Sequence, residues 1–371
     1  MLTRRILLAT SALAALAGRI RTPAATTQQQ AELRWHDVQD WPVEGRGWSD
    51  TERTFDRLPA RAQGVVPAKV WDLSRYSAGM YVEFESDAKE LWVRYELLKG
   101  ELAMAHMPAT GVSGLDLYAR DGGRWRWVAV FAPGEKRCEG ALVRGLDAGT
   151  RAYRLYLPLY NGVESLEIGV AEGERLTPLA RGAERPVVFY GTSIVHGACA
   201  SRPGMAWPSI VSRSLGIRSV NLGFSGNGRM ELEMGDLLAE IDASAYVVDC
   251  LPNMSASMVE ERVVPFVVRL RERRPITPVV LIEDRRYGAA WANGTLRARN
   301  SENADALRAA YARLGERGIK GLWYVGAETL LGEVAEESMT DGSHPSDLGM
   351  ILYARAVGPV LAAALAGKVE P

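Results

Sequence analysis

The spacing of hydrophobic and polar residues divides the chain into two regions with different periods. In the first region, residues 91–97 (LWVRYEL) alternate between apolar and polar side chains, which is typical of a strand with one buried face. In the second region, from residue 187 onward, short unbroken apolar runs alternate with stretches of helical spacing. The pattern therefore predicts a β-rich region followed by an α/β region.

The β-rich region covers roughly residues 35–175. A turn at residues 121–123 (DGG) separates two strand-like runs and predicts a β-hairpin. A turn at residues 161–162 (NG) separates two further runs and predicts a second hairpin of the same kind. Short strands with turns at regular intervals favour a β-sandwich or a jelly roll.

The α/β region is predicted to contain five strands, at residues 187–190, 219–222, 246–250, 278–282 and 321–325. The helical stretches between and after them lie roughly at residues 205–215, 229–241, 257–273, 301–316 and 346–366. Continuous apolar strands that alternate with helices predict a parallel sheet covered on both faces. Functional sites in such sheets lie beyond the C-terminal ends of the strands.

These patterns predict four segments along the chain. Residues 1–30 are an export signal with a flexible segment, and residues 31–175 are the β-sandwich. A charged linker with Pro and Gly spans residues 176–186, and residues 187–371 form the α/β domain.

The N-terminus is typical of a bacterial export signal. Arg4 and Arg5 precede an apolar run at residues 6–17, which small residues follow. The paired arginines also favour the twin-arginine route. The run is shorter than the ~20 residues that a membrane span requires, although an uncleaved lipid anchor or a fortuitous apolar helix gives a similar pattern. We expect a periplasmic or extracellular protein without stable membrane insertion.

Composition adds few constraints. The 371 residues carry a net charge of −1, so no basic surface points to a nucleic-acid partner. Ten tryptophans favour a sugar-binding surface and the core of a β-sandwich equally. Three widely spaced cysteines exclude a disulfide framework and a zinc ribbon, and they leave either one bridge or three buried thiols: Cys138, Cys199 and Cys250.

Ser193 follows the first strand of the α/β region in the sequence Gly-Thr-Ser. A serine in such a turn exposes its hydroxyl and places its own N–H group where an oxyanion would form. The same pattern is common in simple helix caps. Val195 stands where the nucleophile elbow of an α/β-hydrolase requires glycine, so that fold is disfavoured.

Asp341 and His344 lie three residues apart, just before the last predicted helix. This spacing lets the carboxylate meet Nδ1 of the imidazole and leaves Nε2 to accept a proton from a serine. Two alternatives remain open: Asp341 caps the helix, or Asp341, His344 and Asp347 bind a metal ion.

Two further predicted strands end in candidate hydrogen-bond donors. A glycine-rich loop at residues 221–228 contains Gly226, whose backbone could face an anion, and Asn253 offers an amide group. Each is, by itself, also typical of an ordinary turn. Three other residues are candidates for a substrate pocket, His196, His106 and Met107, although a hydrogen-bonded structural histidine is the favoured interpretation of His196. The charged run at residues 283–286, after the fourth predicted strand of the α/β region, is expected to be a solvated or interfacial cluster.

Taken together, these residues resemble the SGNH (GDSL-type) hydrolase superfamily over residues 186–366. The four residues that name the superfamily correspond to Ser193, Gly226, Asn253 and His344. Residues 107–118 also resemble the GxDLY-type N-terminal domain of one bacterial branch. The sequence departs from the family where Gly-Thr-Ser replaces Gly-Asp-Ser and where Leu-Pro-Asn-Met replaces Gly-x-Asn-Asp.

The resemblance implies a flavodoxin-like α/β/α domain of three layers with a parallel sheet, preceded by a jelly-roll-like β-sandwich. It implies a serine esterase with the triad Ser193, His344 and Asp341, and an oxyanion hole made by Ser193, Gly226 and Asn253. No cofactor or metal ion is expected. The expected substrate is a small-molecule or oligosaccharide ester, and export with many tryptophans favours acetyl groups on carbohydrate. An acyltransferase with the same triad, and a carbohydrate-binding protein with an inactive hydrolase domain, are the alternatives.

Overall fold

The computed structural model describes residues 32–367, and the predicted export signal lies outside the described residues. The strands are β1 Leu33–Asp37, β2 Val43–Glu44, β3 Tyr81–Ser86, β4 Leu91–Leu97, β5 Leu115–Asp121, β6 Arg124–Phe131, β7 Arg137–Val143, β8 Arg151–Tyr156, β9 Val163–Ala171, β10 Leu176–Pro178, β11 Val187–Gly191, β12 Ser219–Gly223, β13 Ala245–Asp249, β14 Val279–Ile282 and β15 Leu322–Val325. The α-helices are α1 Ala68–Ser74, α2 Ala109–Val112, α3 Ser193–His196, α4 Trp207–Leu215, α5 Leu232–Glu240, α6 Ala256–Arg273, α7 Gly294–Glu316, α8 Ala327–Leu331 and α9 Asp347–Leu365.

The first ten strands form the two antiparallel sheets of a β-sandwich. One sheet has the order β1-β9-β4-β7, and the other has the order β10-β3-β8-β5-β6, with β2 also paired to β3. Alternate side chains of β4 are buried between the sheets, as the two-residue period predicted. The predicted hairpin at residues 121–123 is confirmed: Gly122 and Gly123 join β5 to β6, both with the positive φ that a tight hairpin turn requires.

The second predicted hairpin, at residues 161–162, is wrong. Its two strands, β8 and β9, belong to opposite sheets, so the chain crosses the sandwich at this turn. The Asn161 side chain accepts a hydrogen bond from the Lys99 N–H and donates to the Lys99 carbonyl and to Ser113 Oγ, all near 3.0 Å. A Cβ atom on Gly162 would lie 2.4 Å from the Arg75 carbonyl. This Asn-Gly turn therefore serves contacts between loops and does not connect two paired strands.

The remaining five strands form a parallel sheet in the order β12-β11-β13-β14-β15. This order and the helices on both faces confirm the predicted flavodoxin-like α/β/α architecture. Successive residues of β11 point to opposite sides: Val188 and Tyr190 belong to one core, whereas Val187 and Phe189 belong to the other. All strand residues of β11, β12 and β13 are buried, which explains their unbroken apolar runs.

The chain between β2 and β3 leaves the sandwich and packs against the α/β core. Leu58, Val66, Val70 and Leu73 share a hydrophobic cluster with residues of the parallel sheet. Residues 33–367 pack as one compact unit. The three cysteines are free and buried, so the alternative of three buried thiols is the one observed.

Arg57 anchors this packed segment. The side chain is 1% exposed and donates to the Tyr76 and Leu73 carbonyls at 2.9 and 2.6 Å. The same guanidinium donates to the Asn221 and Gly223 carbonyls of β12 at 3.2 and 2.7 Å. Burial lowers the pKa of Arg57 to about 9, so the group stays protonated at neutral pH. One buried cation therefore joins the segment to the end of β12.

We expect Arg57→Met to lower the free energy of unfolding by about 3 kcal/mol, because it leaves four buried carbonyls without this donor. Urea denaturation of the purified variant measures the loss. Arg61→Met is the matched control, because Arg61 pairs with Asp50 and Glu240 at the surface, where such pairs contribute about 1 kcal/mol or less. Equal losses in the two variants would contradict the role of Arg57.

Candidate active site

Ser193 begins the short helix α3, directly after β11. The N-cap residue Thr192 accepts a hydrogen bond from the Ile194 N–H at 3.3 Å, and its own N–H donates to the Asp249 carbonyl of β13 at 3.2 Å. A Cβ atom on Gly191 would lie 2.3 Å from that same carbonyl, so only glycine fits here. The turn holds Ser193 at the C-terminal edge of the sheet, where parallel sheets place their sites.

The structure brings Ser193, His344 and Asp341 together. Ser193 Oγ lies 2.9 Å from His344 Nε2, and His344 Nδ1 lies 2.7 Å from Asp341 Oδ2. The second oxygen of Asp341 accepts the N–H groups of His344 and Ser343 at 2.7 and 3.0 Å. Burial alone would raise the pKa of Asp341, but these bonds outweigh it and lower the pKa to about 2. Asp341 is thus ionised at neutral pH and fixes the orientation of His344.

The two alternatives for Asp341 do not fit this geometry. Ser346, and not Asp341, is the N-cap residue of α9. The Asp347 carboxylate accepts hydrogen bonds from the N–H and hydroxyl groups of Ser201, at 2.8 and 2.5 Å. A different grouping has metal-like spacing, because Cys199 Sγ lies within 4.8 Å of ligand atoms of Asp341 and His344. In that grouping both ring nitrogens of His344 already have partners: Nε2 contacts the Ser193 hydroxyl, and Nδ1 contacts the Asp341 carboxylate.

Gly226 and Asn253 reach the same pocket as Ser193 and His344, a cavity of about 290 Å³. Gly226 has a φ of +69° in the loop after β12. Asn253 ends a 3₁₀ turn after β13 and donates one amide hydrogen to the Asn227 carbonyl at 2.7 Å. Its second amide hydrogen and the Gly226 N–H are the groups that could meet a negative oxygen beside Ser193.

Sequence reasoning missed the role of Arg285, which was expected to be part of a solvated or interfacial charge cluster after β14. Instead Arg285 is 1% exposed, and its partner Asp284 is equally buried. Arg285 Nε donates to the Ser343 carbonyl at 2.8 Å, and a terminal nitrogen donates to Ser343 Oγ. This arginine therefore holds the residue before His344. The available signal was the position of Arg285 at the end of a strand, directly after the acid Asp284.

His106 lies near the site, as the sequence suggested. Met104 and Met107 exchange two backbone hydrogen bonds of 3.0 and 3.1 Å, which leaves Ala105 and His106 at the tip of a tight turn. The His106 ring stacks on that of His344, with 5.9 Å between ring centroids and 24° between planes. The third pocket candidate, Met107, is 2% exposed and belongs to the hydrophobic cluster that contains Ile194 and Val195, so it does not line the pocket at Ser193.

His196, one of the pocket candidates, does not line the pocket and is instead the hydrogen-bonded structural histidine that the sequence favoured. It is completely buried, and its Nε2–H donates to the Leu159 carbonyl at 2.7 Å. Its ring stacks on Tyr160 at 4.1 Å. Burial and the charge of Arg57 hold the pKa of His196 well below its usual value, so the ring is neutral. Its position one helical turn after Ser193 points it into the core.

Several tryptophans of the sandwich are covered by arginine side chains. Arg guanidinium groups lie 4.4 to 5.2 Å above the rings of Trp35, Trp92, Trp125 and Trp127. Cation–π contact with arginine is therefore a structural role for these four tryptophans. The number of tryptophans is therefore a weak guide to sugar binding in this chain.

Asp249 is a buried acid directly behind the site. It is completely buried, and neither carboxylate oxygen has a hydrogen-bond partner among the described residues. Burial, and next the nearby charge of Asp284, raise the pKa of Asp249 to about 8. The folded protein thus holds Asp249 protonated at neutral pH, whereas the unfolded chain does not.

We expect Asp249→Asn to stabilise the protein increasingly as pH rises. At a pH below about 4, the ordinary carboxyl pKa, Asp249 is protonated in both states and costs the wild type no stability. Between about pH 4 and about pH 8 the wild type loses stability, because only the folded state keeps the proton. Thermal unfolding of both proteins from about pH 5 to about pH 8.5 measures this, and we expect a gap that grows by a few kcal/mol. Parallel pH profiles would contradict the assignment.

Comparison with known proteins matches both parts of the chain. The model of the GDSL-like Lipase/Acylhydrolase family matches residues 184–362. A second model, GxDLY, described as the N-terminus of Esterase_SGNH_hydro-type, matches residues 33–176. A search of the curated proteins found no match.

Three solved structures illustrate the likeness. A protein described as a GDSL-like lipase from Bacteroides ovatus is 31% identical, with a TM-score of 0.86 over 90% of this chain and 98% of its own. A salicylyl-acyltransferase from a tetracycline biosynthetic pathway is 20% identical, with a TM-score of 0.72 over 89% of this chain and 97% of its own. A family two carbohydrate esterase from Cellvibrio japonicus is 12% identical, with a TM-score of 0.59 over 91% of this chain and 99% of its own. The resemblance predicted from the sequence is confirmed by the family models and by the first structure.

Proposed function

We propose that this chain, which belongs to the GDSL-like lipase/acylhydrolase family and is a carboxylic ester hydrolase, is an exported serine esterase that removes acetyl groups from carbohydrate. One observation supports the catalytic part most directly. It is the unbroken chain of contacts from Ser193 Oγ to His344 Nε2 at 2.9 Å and from His344 Nδ1 to Asp341 at 2.7 Å. This is the order of nucleophile, base and orienting acid that acyl transfer requires.

In this proposal the reaction has two halves. Ser193 Oγ attacks the ester carbonyl carbon while His344 Nε2 accepts the hydroxyl proton. The resulting oxyanion meets the N–H groups of Ser193 and Gly226 and the amide of Asn253. When the intermediate collapses, the alcohol leaves with the proton from His344 and an acyl-serine remains. Water, deprotonated by His344, then attacks the acyl-serine. Collapse of this second intermediate breaks the bond to Ser193 Oγ and releases the carboxylic acid, and His344 returns the proton to Ser193.

The geometry supports a short acyl group. The pocket at Ser193 has a volume of about 290 Å³ and is bounded by Ile194, Pro252 and the buried Arg285. An acetyl group is small enough to lie between these residues. A carbohydrate alcohol is supported by the name of the Cellvibrio japonicus structure, and export is supported by the N-terminal sequence pattern.

Transfer of the acyl group to an alcohol, instead of to water, is the second candidate, because one structural neighbour is named as an acyltransferase. Both reactions share the acyl-serine and differ in what attacks it. Analysis of products from an acetyl donor, with and without a sugar acceptor, separates them: a hydrolase releases acetate in both cases.

We expect Ser193→Ala to lower kcat by about 10⁶-fold, because the nucleophile is lost. Asn253→Ala should lower kcat by about 10²–10³-fold and leave measurable turnover, because two backbone donors remain. Hydrolysis of a short-chain aryl ester measures both effects. Ser214→Ala, an exposed serine on α4, is the control and should match the wild type. Undiminished turnover by Ser193→Ala would refute the assignment of the nucleophile.

We expect acetylated oligosaccharides to be better substrates than aryl esters of long-chain acids. The reason is that the pocket beside Ser193 is small and its walls include the buried Arg285. Values of kcat/KM over a panel of acyl lengths, and release of acetate from acetylated sugars, test both halves of this expectation. A preference for acyl chains of eight carbons or so would contradict the acetyl assignment.

A further inference from the structure

A second and larger cavity adjoins the catalytic pocket. It has a volume of about 650 Å³, and its lining includes Lys69, Lys99, Met104, Tyr76 and Tyr160. Ser225, the residue before Gly226, lines both this cavity and the catalytic pocket. The removal of an acetyl group does not by itself require this second space, so its chemistry bears on the rest of the substrate.

One wall of the cavity is aromatic and rigid. Tyr76 and Tyr160 are 8% and 7% exposed, and both pack on the buried ring of His196. The ring centroids of Tyr160 and His196 are 4.1 Å apart, and those of Tyr76 and His196 are 6.0 Å apart. Pockets for small molecules typically combine such aromatic surface with a few polar groups that fix orientation. The apolar face of a sugar ring fits against a wall of this kind.

The cavity lining also carries an excess of positive charge, with two lysines and one acid. Lys99 Nζ binds the Tyr76 hydroxyl and lies 4.6 Å from the centre of the Tyr76 ring. Within residues 32–367, no carboxylate lies at ion-pair distance from Lys99 or Lys69, and Glu101 is the one acid in the cavity lining. The backbone of Lys99 is held at both its N–H and its carbonyl by Asn161. The backbone that carries this ammonium group is therefore held in one position.

The position of the proton donor, His344, indicates that this cavity holds the alcohol part of the substrate. The leaving oxygen takes its proton from His344, so the alcohol must lie on the side of that ring. His106 stacks on His344, and Met104, at the base of the same tight turn, lines the cavity. An alcohol that passes His344 and His106 thus enters the space in front of Tyr76 and Lys99.

From these contacts we infer that the alcohol part of the substrate is an acidic sugar residue whose carboxylate is bound by Lys99, with Lys69 beside it. The inference rests on the proposed function, because it takes His344 as the group that protonates the leaving alcohol. It adds the chemical class of that alcohol: a uronate, as opposed to a neutral hexose. The tyrosine wall would hold the ring, and the lysines would select the charge.

The test compares two O-acetylated methyl glycosides that differ only at C6, a hexuronate and the neutral hexose. We expect the wild type to favour the hexuronate in kcat/KM by about tenfold, the effect of one hydrogen-bonded charge pair. Lys99→Met should remove most of this preference. Lys89→Met is the matched control and should keep it, because Lys89 is exposed at the opposite end of β4, roughly 20 Å away.

Binding of both glycosides to Ser193→Ala, measured by calorimetry, provides a second readout that needs no turnover. Tighter binding of the hexuronate, weakened by Lys99→Met in the same background and by added salt, supports the inference. Equal binding of the two glycosides, or an equal effect of Lys99→Met and Lys89→Met, overturns it. If Ser193→Ala binds the hexuronate selectively and the wild type hydrolyses neither glycoside, the proposed esterase function fails and the acidic-sugar site stands.

Discussion

Arg57 brings a positive charge into the protein interior, where backbone carbonyls and not a carboxylate receive it. Two of these carbonyls belong to the segment between β2 and β3, and two belong to β12. The guanidinium also lies 4.9 Å above the ring of Phe224, which begins the loop that carries Gly226. Five donors in a planar fork make arginine suited to this bridge, because no other side chain reaches four carbonyls at once. The geometry of the loop that carries Gly226 therefore depends on a residue far away in the sequence.

The rest of the site follows the same principle, in which buried polar groups fix short loops at strand ends. Asn221, on β12, donates to the Val195 carbonyl at 2.7 Å and accepts the Gly223 N–H at 2.9 Å, so it joins the helix of Ser193 to the strand before Gly226. Arg285 performs the corresponding task for the loop of His344. Such groups are costly to bury and stabilise only when their hydrogen bonds are made, so each holds its loop in one arrangement. Ser193, His344 and the loops of Gly226 and Asn253 thereby meet at one edge of the parallel sheet.

Much of the architecture could be predicted from the sequence, because the parallel strands are buried on both faces and appear as unbroken apolar runs. The strands near residues 187, 219 and 246 were placed within one residue of their observed bounds. The grouping of Ser193, Gly226, Asn253 and His344 could be predicted because parallel strands bring their C-terminal ends to one edge. The catalytic roles of these residues remain proposals, and the division into domains remains a prediction.

The failures have local causes. An Asn-Gly sequence indicates how the backbone bends but not which sheet the next strand joins. The predicted hairpin at residues 161–162 was therefore wrong. The run that contains Glu283, Asp284 and Arg285 was expected at the surface because charges usually are, yet these side chains are at most 2% exposed. His196 was a pocket candidate only because it is close to Ser193 along the chain, whereas the direction of a helical side chain decides what it faces. The packing of α1 on the parallel sheet left no periodic signal, since that helix has only seven residues.

The tight turn that holds His106 against His344 has a consequence for how this protein can have diversified. His344 and its stacked neighbour His106 come from parts of the chain that match two different family models. Arg57 likewise comes from the first of these parts and binds the second. Recombination between relatives at the junction near residue 180 would separate both pairs of partners. Descent should therefore have kept the two parts together as a single heritable unit, with new substrate preferences arising by point substitution in place of module exchange.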